Sequence, residues 1–495
     1  MAYFFIGIIL LVAGYFTYGR LIERIVAPTD TPTPAFYKRD GVDFLPLPHW
    51  KNMLIQLLNI AGVGPVIGVI IGIKFGEIAF LIIPVGNIIA GATHDYLSGM
   101  MSVRRGGANL PILIRDNLGG SYFKFFSVFS ILLLLLVVAV FVNIPAKLFS
   151  TNFLEPVSDF LAGKGWHVFL QGSGLFWVCV GAIFAYYIVA TLFSVDKIIG
   201  KIYPFFGAVL LLGTFALFVA LCFAMIHNPS LLSESEPFAM QKWTAANGHP
   251  IVPLLFVTIA CGIISGFHAT QSPIIARTIQ SERQGRSSFY GVMVLEGLIA
   301  MIWASGGLAV YNTFPEMFHS DATSVLIKIT KTYLGSWMGA LTVLGVIILA
   351  VTSGDTAMRA VRLSLAEILK IDQRSKLKRV LTCLPLGILV AALLIWSNMD
   401  SESFNMLWNY FAWGNQVLAY STLMAASVWL WRQGKPAVVA IVPAAFMGFI
   451  VYAYIFWNKN LGFALSLKVS YVWAAAFVVL SLAFIFYNAK RGIKK

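Results

Sequence analysis

Apolar runs of about 20 residues recur along almost the whole of this chain of 495 residues. A run of that length is what a helix needs to cross a bilayer. Thirteen are found, beginning near Tyr3, Met53, Ile78, Phe126, Val168, Tyr203, Ile251, Phe289, Met338, Val380, Phe404, Ala437 and Val469. Composition agrees, with 59% hydrophobic residues and 11% charged ones. A soluble domain carries roughly 25% charge, and a disordered chain is poor in apolar residues. The expected fold is an all-α polytopic membrane protein. Its first apolar run has no basic stretch ahead of it and reads as an uncleaved membrane helix, not a signal peptide.

The net charge of +14 raises the question of nucleic acid, and placing the charges answers it. With the first helix entering from outside, every arginine falls on the inner side. Only Lys74, Lys147, Lys164, Lys242, Lys328, Lys331, Lys459 and Lys468 fall outside. This is the positive-inside bias, and it predicts an outer N-terminus and a cytoplasmic C-terminus. The basic residues are spread over seven inner segments without a compact patch, so no nucleic acid is expected as a partner; the lipid bilayer is. Cys179, Cys222, Cys261 and Cys383 lie in apolar runs without metal-site spacing.

Two spans are interrupted. The second contains Asn59-Ile60-Ala61-Gly62-Val63-Gly64-Pro65, and the seventh contains Ser265-Gly266-Phe267-His268-Ala269-Thr270-Gln271-Ser272-Pro273. Backbone freed by Gly and Pro at membrane depth must face protein or a watery cavity. A close-packed small-residue interface is the alternative for the second span. The two lie five spans apart and cross in opposite directions, which is the pattern of an inverted five-plus-five repeat, spans two to six against seven to eleven. The loops Asn109–Tyr122 and Thr323–Trp337 are both amphipathic, with Leu-Gly near the end. The division is then 1–51 for the first helix and its inner loop, 52–228 for the first repeat and 229–250 for an outer loop. The second repeat is 251–431, and 432–495 carries two further helices; spans one, twelve and thirteen are peripheral.

Ionisable groups inside spans are costly and usually functional. His94 and Asp95 close the third span near the cytoplasmic side and are candidates for ion coupling or for a structural pair. Glu296 has no basic residue within a turn or two, which makes it a candidate proton carrier or a neutral hydrogen-bond donor. Asp355 follows Thr352 and Ser353, a group that suits Na⁺ or equally a helix interruption lining a polar path, and Arg359 stands one turn on, where it can stabilise Asp355. Asn415 and Gln416, among aromatics, suit a substrate wall or interhelical bonding. Asn59, Gly62, Gly64, Ser265, His268, Gln271, Asn415 and Gln416 form the candidate substrate set. Nothing resembles a catalytic triad, a Walker loop or a clustered metal site, so no enzyme and no cofactor is expected beyond a coupling ion, H⁺ or Na⁺.

The broken first helix of each repeat resembles the LeuT-like fold of secondary transporters. Ser265-Gly-Phe-His-Ala-Thr-Gln-Ser-Pro273, continuing through Ala276-Arg277, Gly285-Arg286, Leu295-Glu296-Gly297 and Ile302-Trp303-Ala304, closely resembles the carbon starvation protein family (CstA). Asp40-Gly41-Val42-Asp43-Phe44, Ile60 to Pro65, Asp355 with Arg359, and Leu407-Trp408 through Asn415-Gln416 match it too. Ile55-Gln56 stands where some relatives carry His-His, and His94 where they carry Gln. The resemblance implies a prokaryotic cytoplasmic-membrane transporter that imports peptides, or a small carboxylate such as pyruvate, under nutrient limitation. It also implies sodium ligation by hydroxyls such as those of Thr352 and Ser353. A non-transporting sensor and a channel are the rival classes.

Overall fold

The computed structural model describes residues 2–61, 63–163, 173–192, 195–233, 248–373 and 375–491. Gly62, the expected start of the fifth span at Val168, Lys164 and Lys242 lie outside them. Helices occupy all thirteen expected places. The first is α1 (Ala2–Val26). The second span is the bent pair α2 (His49–Ile60) and α3 (Gly64–Phe75), which meet at 56°. Then come α4 (Ala79–Arg104), a short α5 (Leu110–Leu118) and α6 (Gly120–Asp159). They are followed by α7 (Ser173–Leu192) and α8 (Val195–His227).

The second half opens with α9 (251–263) and α10 (Gly266–Ala276), which together make the seventh span. It continues through α11 (Glu282–Thr313), α12 (Ala322–Ile368), α13 (Lys376–Ser397) and α14 (Ser401–Arg432), and ends with α15 (Val438–Trp457) and α16 (Leu467–Arg491). Ten of these helices are long and apolar enough to cross a membrane, eleven with α2–α3. The broken α9–α10 and the amide-bearing α14 complete the thirteen.

The repeat is written in two glycines. Amphipathic α5 ends at Gly119 with φ 90° and ψ 170°. The first part of α12 ends at Gly335 with φ 70° and ψ −170°. Each follows a leucine, and each lets a short surface helix turn sharply into the long helix beyond, a conformation that side chains other than glycine's rarely adopt. The two long helices that follow, α6 and α12, pack along one another in the core. Helix α10 lies against α4 and α14, and α2 against α10, α11 and α12. Helices α1, α15 and α16 are peripheral. Helix α1 packs on α4 and α11, and α15 and α16 pack on α14 and one another. Side chains such as Val472 and Trp473 stay exposed, as a lipid-facing surface requires.

Candidate functional site

The seventh span breaks because Ile264 and Ser265 are extended, at φ −162° and φ −130°. Their neighbours' backbone groups then need partners inside the membrane. Helix α14 supplies them. Asn415 Oδ1 accepts the Phe267 N–H at 2.6 Å and the Ser265 hydroxyl at 3.2 Å. Asn415 Nδ2 donates to Ser265 Oγ at 2.9 Å, and Gln416 Nε2 reaches the Ile264 carbonyl at 3.4 Å. These amides hold the break open. The one amide atom left over is Gln416 Oε1, which is buried without a partner among the described residues. Gly266 is required here. A Cβ on it would strike the backbone of α14 at Asn415 and Ala419.

The two breaks touch. A Cβ on Gly64 would overlap Cys261 Cβ and Sγ, so the glycines of the second span serve close packing as well as interruption. Around this junction several buried polar atoms have no partner among the described residues: both amide atoms of Asn59 and of Gln56, and Gln271 Oε1. Buried polar atoms are nearly always paired with protein, water or ligand. An uncharged donor-and-acceptor lining of this kind suits the polar middle of a small ligand.

Beside the junction runs a chain of ionisable groups from three helices. His94 Nδ1 lies 2.8 Å from Asp95 Oδ1. His268 Nδ1 lies 2.9 Å from Asp95 Oδ2, and His268 Nε2 lies 3.5 Å from Glu296 Oε2. All four side chains are fully buried. From sequence alone His94 and Asp95 fall at the inner end of the third span, by the arginine loop. In the structure α4 continues to Arg104, and Asp95 turns inward to α10. The arginines of the loop pair elsewhere, Arg104 with Glu282 at 2.9 Å and Arg105 with Asp116 at 2.6 Å. A carboxylate–imidazole–carboxylate series can hold a proton and pass it along.

On α12, Ser353 Oγ donates to the Leu58 carbonyl at 2.9 Å, and Thr352 Oγ1 lies 3.4 Å from the same oxygen. Both hydroxyls therefore meet the end of α2, where carbonyls run out of helical partners. Asp355 sits on another face of the helix, accepting from Tyr186 Oη at 3.3 Å. Arg359, one turn on, makes no hydrogen bond to Asp355, although its charge still acts on it. Its guanidinium turns to Asp43 at 3.4 Å and to the Ala190 carbonyl at 3.0 Å, because the loop before α2 folds under the bundle and brings a carboxylate closer to its reach.

Some residues were missed. Tyr186 and Asp43 could not be tied to α12 from sequence, since the contacts span 169 and 316 positions. Gln56 carried a signal, an amide in a span beside Asn59, that was noted only as a departure from relatives. A layer of rings was also missed. Phe267, right after the break, lies 5.8 Å from Phe141, which lies 6.0 Å from Phe411. Their spacing looks like ordinary core.

Two broken helices that meet in the core, the second capped by amides and flanked by buried charge, define a membrane protein of the LeuT-like fold class. A solved structure of MhsT in complex with L-phenylalanine superposes with a TM-score of 0.59 over 90% of this chain and 99% of that one, at 13% identity. The chain belongs to the carbon starvation protein CstA family, whose description it matches over residues 1–188, 158–305 and 304–453. An uncharacterized membrane protein of Haemophilus influenzae is 41% identical over 346 residues, 63% of this chain and 92% of that one. A Mycobacterium tuberculosis protein named peptide transporter CstA is 28% identical over 341 residues, 59% of this chain. The match spans 44% of that longer relative.

Proposed function

We propose that this protein is a secondary active transporter that imports short peptides across a prokaryotic cytoplasmic membrane when nutrients are limiting. The carrying observation is the junction of the two broken helices, α2–α3 and α9–α10, beside the buried Asp95–His268–Glu296 series. Broken helices in inverted repeats suit alternating access around a central site, and buried ionisable groups suit ion coupling. The printed name of the Mycobacterium tuberculosis relative supports the peptide substrate. The lysine and arginine distribution supports an outer N-terminus and an inner C-terminus.

In this reading H⁺ is the coupling ion. Asp95 orients His268 through its hydrogen bond, and Glu296 takes the proton on the far side of the ring. Sodium is the second reading. It is favoured by Thr352 and Ser353 meeting the Leu58 carbonyl, three hard oxygens at one helix end. Proteoliposomes holding the full chain test both. Trialanine should accumulate under an inward proton gradient and not under a sodium gradient alone. Accumulation under sodium alone would move the coupling to Thr352 and Ser353. Accumulation of pyruvate and not of peptide would replace the substrate, and no accumulation of either would overturn transport.

A further inference from the structure

A cavity of about 730 Å³ lies on the side of the bundle away from the arginine-rich loops. Helices α3, α6, α12, α13 and α14 all contribute to it, so both halves of the repeat share its walls. Ile67, from the turn just after the first break, lies in its lining. Trp408 in its wall lies 5.5 Å from Phe411, and so joins the cavity to the ring layer of Phe411, Phe141 and Phe267 at the second break.

Its chemistry is of three kinds. Lys74 and Lys147 bring cations. The Lys74 nitrogen rests against the rings of Tyr311 and Phe318, at 5.5 Å and 5.3 Å, which anchors it at the wall. Asp321 and Asp400 bring carboxylates. Both are helix caps, Asp321 accepting from the Thr323 and Ser324 amides and Asp400 from the Ser403 amide, so neither is free to swing away. Lys147 and Asp321 already face one another at 3.5 Å. Amides share the wall. Buried Asn143 donates to Ser397 Oγ at 3.0 Å and accepts from Asn398 at 2.6 Å, and Asn405 stands exposed nearby.

We propose that this cavity is an outer binding site for short zwitterionic peptides, occupied before the ligand reaches the junction of the breaks. This rests on the peptide-import reading above. Fixed cations and fixed carboxylates match the two termini, and side-chain amides match the peptide groups between them. Ligand pockets of about 300–1,000 Å³ hold molecules of that size. A monocarboxylate such as pyruvate carries one charge, would bring no cation to Asp400 and would fill little of the volume.

Uptake by the reconstituted full chain tests the site with trialanine, N-acetyl-trialanine and trialanine amide. Lys74→Gln should raise the KM for trialanine about tenfold, the loss expected for one charge-assisted contact, and should change that for trialanine amide little. Asp400→Asn keeps a good helix cap, so the fold survives. It should raise the KM for trialanine and leave that for N-acetyl-trialanine unchanged. Unaltered KM values in both variants, or equal losses with all three ligands, would overturn the site while leaving import standing. Failure of the unaltered chain to take up trialanine would overturn the import reading, and this site with it.

Discussion

His268 Nδ1 and Asp95 Oδ2 lie 2.9 Å apart with no solvent exposure, joining α10 to α4 across 173 positions of sequence. Glu296 approaches the other nitrogen of the same ring at 3.5 Å, and its two oxygens accept no hydrogen bond from the described residues. The two carboxylates therefore differ in kind. Asp95 is held by two imidazoles, whereas Glu296 is held loosely by one.

That difference predicts opposite effects on stability. Removing one partner of a buried, hydrogen-bonded pair costs about 3–5 kcal/mol. Asp95→Ala should lose that much, seen as a large fall in melting temperature in detergent. Glu296→Gln replaces a loosely held carboxylate with a neutral group of the same shape and should melt at or above the unaltered chain. Equal destabilisation by both would show that Glu296 is a structural partner, and the proton-carrying role would lose its support.

The contact of the two breaks predicts a rescue. Gly64→Ala would drive its methyl into Cys261, and overpacking of this kind costs about 1–3 kcal/mol. Cys261→Gly removes the atoms it strikes, at the ordinary helical cost of glycine, about 1 kcal/mol. The double variant should melt higher than the sum of the single changes predicts, a coupling that a double-mutant cycle isolates. Strict additivity would mean that the glycine serves the bend alone.

Asn415 is expected to matter through the backbone it caps. Asn415→Ala leaves the Phe267 N–H without its acceptor inside the membrane, at a cost of about 1–3 kcal/mol. Hydrogen exchange around 264–268 should accelerate more than exchange in the long helices α6 and α12. If exchange there is unchanged, the cap is not what holds the break.

Much of this architecture is legible in the sequence because lipid is an unforgiving solvent. Apolar length marks each span, and Gly-Val-Gly-Pro and Ser-Gly-Phe-His mark the breaks, since only special backbone tolerates interruption there. Leu118-Gly119 and Leu334-Gly335 show the repeat as well as any contact does. The buried groups Asp95, His268 and Glu296 stand out singly, because charge in a span is rare. Their assembly into one series does not, since it depends on how α4, α10 and α11 rotate against one another. The same limit hid the carboxylate that Arg359 bonds. Helical spacing offers it Asp355, four residues earlier, but it cannot show a loop carboxylate arriving from 316 positions away.

That loop carboxylate gives the last prediction. Asp43 and Arg359 pair at 3.4 Å beneath the bundle, the arginine fully buried and the aspartate nearly so. Burial pushes the Asp43 carboxyl up. Arg359, then Arg362, Arg277 and Arg379, outweigh that and hold it below the usual carboxylate range. A carboxyl that ionises more readily folded than unfolded contributes stability in full above its unfolded pKa, about 3.9. The contribution is lost as pH falls through the lower folded value. Asp43→Asn should therefore lower the melting temperature clearly at pH 7, where a buried arginine is left without its charge partner. The gap between the two proteins should narrow steadily below about pH 4. The difference between their melting curves is the readout. A gap that stays constant from pH 7 to pH 3 would mean that the Asp43 side chain contributes by packing and not by charge.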